Sequence, residues 1–75
     1  YNYVIPENST LIGKNIRETG ILEQANALVV GIERNDERIL NPESDMKLQA
    51  NDTLFIVAEK KIIRDWLARH EMKEA

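Results

Sequence analysis

Two short apolar runs, Ala27-Leu28-Val29-Val30-Gly31-Ile32 and Leu54-Phe55-Ile56-Val57-Ala58, decide what this chain can fold into. Both are rich in β-branched and aromatic residues and are bounded by polar turn residues, so they read as sheet strands. Neither approaches the ~20 apolar residues needed to cross a bilayer as a helix. The first extends through Glu33 and Arg34. Simple alternation puts Leu28, Val30 and Ile32 on one face and Ala27, Val29 and Gly31 on the other. Apolar residues on both faces predict a central strand. The second, opened by Thr53, reads as another buried strand.

The flanking sequence supplies the remaining elements. Tyr1 to Ile5 alternates as a short strand, and Pro6 ends it because proline has no N–H to give a ladder. Asn15 to Thr19 has the spacing of a short helix, with Asn15 as N-cap and Gly20 as the residue after its end; Ile21 then supplies the apolar contact common after such a glycine. A further helical turn through Leu22 to Ala25 is compatible with the pattern, and so short a segment must be packed to persist. Asn35-Asp36-Glu37 reads as a hairpin turn into Arg38-Ile39-Leu40, which Asn41-Pro42 terminates. Glu43 to Gln49 is a polar loop anchored by Met46 and Leu48, and Asn51-Asp52 is a turn. From Lys60 the period becomes helical. Ile62, Ile63, Trp66 and Leu67 form an apolar stripe opposite Lys61, Arg64, Asp65 and Arg69, with a charged tail from Glu71 to Ala75 expected to fray.

The order strand-helix-strand-strand-strand-helix predicts an α+β fold: a small, mostly antiparallel sheet of about four strands with two helices packed on it. No repeat or linker divides residues 1–75, so one domain is expected. A start at Tyr1 without methionine reads as a piece of a longer polypeptide.

Composition narrows function. Of 75 residues, 43% are hydrophobic and 31% charged, which excludes disorder and low complexity. Zero cysteines and one histidine, His70, leave no disulfide framework and no thiolate or histidine metal cage. A net charge of −3 supplies no cationic field for a nucleic-acid backbone. Gly13-Lys14 lacks both the upstream glycine and the following Ser or Thr of a phosphate loop, since Asn8 and Asn15 stand there; Gly13 reads as a turn residue. Ser9 and His70 assemble no triad, because one lies in a polar turn and the other at a helix end. The carboxylates are scattered over turns and the polar helix face, where charge is ordinarily a solvated surface. Asn8-Ser9-Thr10 and Asn51-Asp52-Thr53 match the glycosylation pattern but read as turn chemistry. Trp66 reads as core rather than as part of a base-stacking platform.

In order, Ser9-Thr10-Leu11-Ile12-Gly13-Lys14 with Ile16, Val29-Val30-Gly31-Ile32-Glu33-Arg34, Asn41-Pro42, Leu48 and Asn51-Asp52-Thr53-Leu54 punctuate the chain before its closing helix. From Tyr3 to Leu67 this pattern resembles the C-terminal lobe of the regulator of potassium conductance family, also called the TrkA C-terminal domain. Asn51 stands where the family usually has glycine, and asparagine tolerates the same positive φ. The resemblance implies a non-enzymatic cytoplasmic domain, paired as a homodimer and attached to a potassium or other cation channel, uptake system or antiporter at the inner membrane. It also implies, for some members, cyclic di-AMP or another small anionic ligand held between two lobes. On that basis Arg34 matches a phosphate-contacting arginine, and Ile32, Ile39, Leu40, Asn41 and Pro42 occupy the stretch around the base; an asparagine-histidine pair of some binders is absent here. For Arg34 the residues alone equally allow a solvated strand-end charge beside Glu33 or Asp36. Two functions fit: a ligand-sensing lobe of a transporter, or a structural dimerisation module with no ligand. No nucleophile, base and metal set can be assembled for an enzyme.

Overall fold

Residues 1–71 are described by a computed structural model. Its elements are β1 (Asn2–Val4), α1 (Ile16–Thr19), α2 (Ile21–Ala25), β2 (Leu28–Arg34), β3 (Glu37–Leu40), β4 (Thr53–Val57) and α3 (Lys60–Glu71). The strands form one sheet in the order β1-β4-β2-β3, every neighbour antiparallel. The expected α+β architecture is thus met, with one helix more than the two expected. Gly20 adopts φ 74°, a left-handed conformation that stops α1 and lets the chain restart as α2. Asn15 caps α1 through a reciprocal box: its side chain accepts from the Glu18 N–H at 2.7 Å, and its own N–H donates to Glu18 Oε1 at 2.9 Å. The tail residues beyond Glu71 lie outside the described residues.

Asparagine carries much of the chain reversal. Asn35 (φ 51°) and Asp36 (φ 66°) make the tight hairpin between β2 and β3, whose Arg34 and Glu37 pair directly beneath it. Asn26, Asn41 and Asn51 also take positive φ, at the end of α2, after β3 and before β4. At these positions the short amide side chain tolerates a conformation that bulkier residues avoid.

All three helices and the long loops lie on one side of the sheet. There Tyr3, Ile32, Ile39, Leu54 and Ile56 meet Ile63, Trp66 and Leu67 of α3, Ile21 and Ala25 of α2, and Leu11 and Leu48 from loops. Trp66 is fully buried, and its indole N–H donates to Gln24 Oε1 at 2.7 Å, joining α3 to α2. The His70 ring stacks on Trp66 at a centroid distance of 4.1 Å, and its Nδ1 donates to the Trp66 carbonyl at 2.9 Å. The sole histidine therefore serves the helix end.

Among the described residues nothing is layered on the opposite face of the sheet, and three expectations are corrected. A bulge between Val29 and Gly31 makes Val30 an extra residue, so strict alternation fails along β2. Ile32 and Val29 instead share the covered side, where they pair with Leu54 and Ile56, while Leu28 and Val30 are exposed. β4 is buried on one side only: Leu54 and Ile56 point into the core, and Val57 is exposed. On α3, Ile62 leaves the stripe: it is exposed and lines a groove with Leu22, Leu28 and Val57, while Ile63, Trp66 and Leu67 face the core.

Two outcomes follow from this packing. Trp66→Ala removes the largest buried side chain and its bond to Gln24, and should lower stability by ~3–5 kcal/mol, read as a loss of cooperative thermal unfolding. Tyr3 is half-buried, and burial first, then the Glu71 carboxylate and Tyr1, push its phenol from 10.0 to about 12. Because the folded value is the higher one, the stabilisation is complete below pH 10 and is lost as pH rises from there towards 12. Chemical denaturation across that range should show the decline, and Tyr3→Phe should flatten it.

Candidate functional site

Arg34 ends β2 on the covered side of the sheet, and its partner comes from a distant part of the sequence. Nε and Nη2 donate to the two carboxylate oxygens of Asp52 at 2.8 and 2.7 Å, and Nη2 also donates to the Lys47 carbonyl at 3.0 Å. Asp52 is 1% exposed and takes a further bond from the Gln49 N–H at 2.9 Å. The fork-to-fork geometry is the strongest arrangement available to such a pair. The Asp52 bonds raise the guanidinium pKa above its ordinary value, outweighing the opposing effect of burial. The local partners expected from sequence, Glu33 and Asp36, are not used by Arg34: Glu33 instead lies 3.7 Å from Arg38. The missed signal was the Asn51-Asp52 turn, whose acid is placed beside Arg34 by the pairing of β2 with β4.

This pair fixes a strap. Leu48 is buried, and its N–H and carbonyl bond Lys14 and Gly13 at 2.9 Å each; the Met46 and Ser44 carbonyls accept from Ile16 and Arg17, the first N–H groups of α1. The loop expected to be anchored by Met46 and Leu48 is so anchored, and Arg34 and Asp52 hold its far end.

The other residues singled out from sequence fall on two sides of the sheet. Ile32 is fully buried and Ile39, its register partner, is half-buried, both on the covered side with Arg34. Leu40 points the opposite way, paired with Gly31, and is 72% exposed. Asn41 follows it in a left-handed turn, its N–H bonded to the Val30 carbonyl at 3.0 Å, and Pro42 comes next, half-buried. In a hairpin the end of one strand meets the start of the next. Arg34 therefore sits opposite Glu37, and Leu40, Asn41 and Pro42 lie several residues back along β2. Convergence of Arg34 with Asn41 at one sheet end does not occur within a single chain.

The uncovered face is organised in rows. Leu40, Gly31, Phe55 and Asn2 form one; Arg38, Glu33, Thr53 and Val4 form the next; Leu28 and Val57 lie beyond the bulge. Val4, Leu28, Leu40 and Val57 are each more than half exposed. At the Leu28 end the face runs into a groove of about 540 Å³ lined by Leu22, Leu28, Val57 and Ile62, which includes none of the residues singled out from sequence. Among the described residues no group of acidic, histidine or cysteine side chains could hold a metal, and no helix is long and apolar enough to cross a membrane.

A two-layer α+β lobe with an antiparallel sheet covered on one side and an open apolar face is the class defined by this geometry. The chain belongs to the TrkA-C domain family, whose sequence pattern matches residues 1–69. It is 30% identical over 71 residues to the K(+)/H(+) antiporter subunit KhtT of Bacillus subtilis (strain 168), covering 88% of this chain and 43% of that protein. It is 30% identical over 60 residues to the ammonium/H(+) antiporter subunit AmhM of Alkalihalophilus pseudofirmus, covering 80% of this chain and 36% of that protein. The chain thus spans less than half the length of these curated relatives. Among solved structures, the RCK_C domain dimer of S. agalactiae BusR in complex with c-di-AMP superposes with a TM-score of 0.76 at 26% identity, over 85% of this chain and 84% of that one. The family resemblance and the fold expected from it are therefore met.

Arg34→Ala tests the clamp. Removing the guanidinium leaves a buried carboxylate with only a backbone N–H, so stability should fall by about 3 kcal/mol in a denaturant titration, where an ordinary surface arginine costs within ~0.5 kcal/mol. Asp52→Asn, which keeps the shape but removes the charge, should cost less.

Proposed function

We propose that this chain is a regulatory lobe of a monovalent-cation transport system, acting on the cytoplasmic side of the membrane as a homodimer that takes a small anionic nucleotide between two copies. The observation that carries the reading is the uncovered sheet face: Val4, Leu28, Leu40 and Val57 leave an apolar surface exposed that none of the described residues covers. A second copy is the natural cover, because a two-fold axis lets one patch complement itself. The relatives support the transport assignment: two are antiporter subunits, and the BusR lobe is a dimer holding c-di-AMP.

In this reading Leu40, Asn41 and Pro42 form the rim that meets the ligand. Leu40 offers apolar surface, and the Asn41 side-chain amide offers a donor and an acceptor to a base edge. Ile32, Ile39 and Arg34 support the rim from the covered side. A ligand bridging two lobes would set their separation, and a transporter coupled to that separation would respond to ligand concentration in proportion to the differential affinity of its states. Binding, not catalysis, is the role assigned to these side chains. The open face by itself also favours a second reading, a dimerisation module without ligand.

Sedimentation equilibrium at tens of micromolar should give twice the chain mass, and Leu40→Glu should shift the chain to monomer by placing a charge in the interface. Calorimetric titration of the wild-type dimer with cyclic di-AMP should show saturable heat. A wild-type monomer at millimolar concentration overturns the proposal, whereas a dimer without heat leaves the module without ligand.

A further inference from the structure

An anion needs a cation that is free to meet it, and Arg34 is not free. Its charge is balanced by Asp52, and handing it to a phosphate would strand a carboxylate that is 1% exposed. The register directs ten strand residues to the open face, and Arg38 is the one cation among them. Its side chain is 64% exposed. The guanidinium lies 5.4 Å from the centroid of the Phe55 ring, over the sheet and still open to solvent. Gly31 makes this possible: a side chain there would begin 3.3 Å from the Phe55 ring, so the bare backbone lets Phe55 lean towards β3. Leu40, two residues further along β3, shares the face with Arg38 and lies across Gly31 from Phe55. The contact with Glu33 at 3.7 Å is exposed on both sides and does not consume the charge.

Resting on the ligand reading above, we infer that Arg38 is the residue that meets the ligand's phosphate, with Phe55, Gly31 and Leu40 forming the apolar floor beside it, and that Arg34 is a positioning residue for the strap. A guanidinium presents two parallel N–H groups to a phosphodiester, a geometry no other side chain on this face can offer. A two-fold dimer supplies Arg38 twice, one for each phosphate of a two-fold symmetric dinucleotide. It also provides the local positive charge that a chain of net charge −3 otherwise lacks.

Titration of wild type and Arg38→Gln with cyclic di-AMP tests this. The variant should bind roughly 10- to 100-fold more weakly, the loss expected for charge-assisted bonds to an anion. Its melting temperature and sedimentation should stay those of the wild-type dimer, because the side chain is largely solvated. Arg38→Lys, which keeps the charge without the planar fork, should recover part of the affinity. Wild-type affinity in Arg38→Gln overturns this inference alone and leaves the ligand reading standing. No binding by the wild type overturns both.

Discussion

A carboxylate that is 1% exposed in so small a lobe survives only because its charge is matched in place, and much of the remaining architecture is attached to that match. Asp52 sits where the long loop ends and β4 begins; its N–H donates to Gln49 and its carboxylate receives Arg34 and the Gln49 N–H. Through Arg34 it reaches the end of β2, and through the Arg34 bond to Lys47 it reaches the strap that carries Leu48 into the core and caps α1 with the Ser44 and Met46 carbonyls. The Ile5 N–H donates to the Asp52 carbonyl at 2.9 Å, so β1 is joined at the same point. Desolvating a lone carboxylate would cost several kcal/mol, a large share of the stability of a small domain, and three hydrogen bonds to one acid offset it.

The second constraint is size. With the helices and loops all on one side, Trp66 and the isoleucines of β2, β4 and α3 complete a single core, and none of the described residues covers the other face. Large apolar side chains then stand in solvent together on one face rather than singly over the surface. The bulge at Val30 sharpens this division, since it returns Val29 to the core while leaving Leu28 and Val30 outside.

The placement of arginines follows from the same two constraints. Arg34 and Arg38 are four residues apart and flank one hairpin, yet the period of two and the pairing register send them to opposite faces. One meets a buried acid and becomes part of the framework. The other meets Phe55 and solvent, and retains a charge that another molecule can use. The resemblance pointed to the first as the ligand contact, and the proposal made above rests on the second.

Local rules carried the reading from sequence a long way. Capping by Asn15, the stop at Gly20, the Asn35-Asp36 reversal, the end of β3 before Asn41-Pro42 and the Ile63-Trp66-Leu67 stripe are each written within a few neighbouring residues, where backbone sterics and short-range hydrogen bonding act. The order of punctuation was enough to indicate the family. Tertiary structure alone decided the rest. The bulge at Val30, the exposure of Leu28, Val57 and Ile62, the union of Arg34 with Asp52 18 residues away, and the face on which Arg38 stands all depend on which strand lies beside which and on which side the helices settle. Those choices are made by the chain's total burial, in which distant residues count as much as adjacent ones, and no local window contains them.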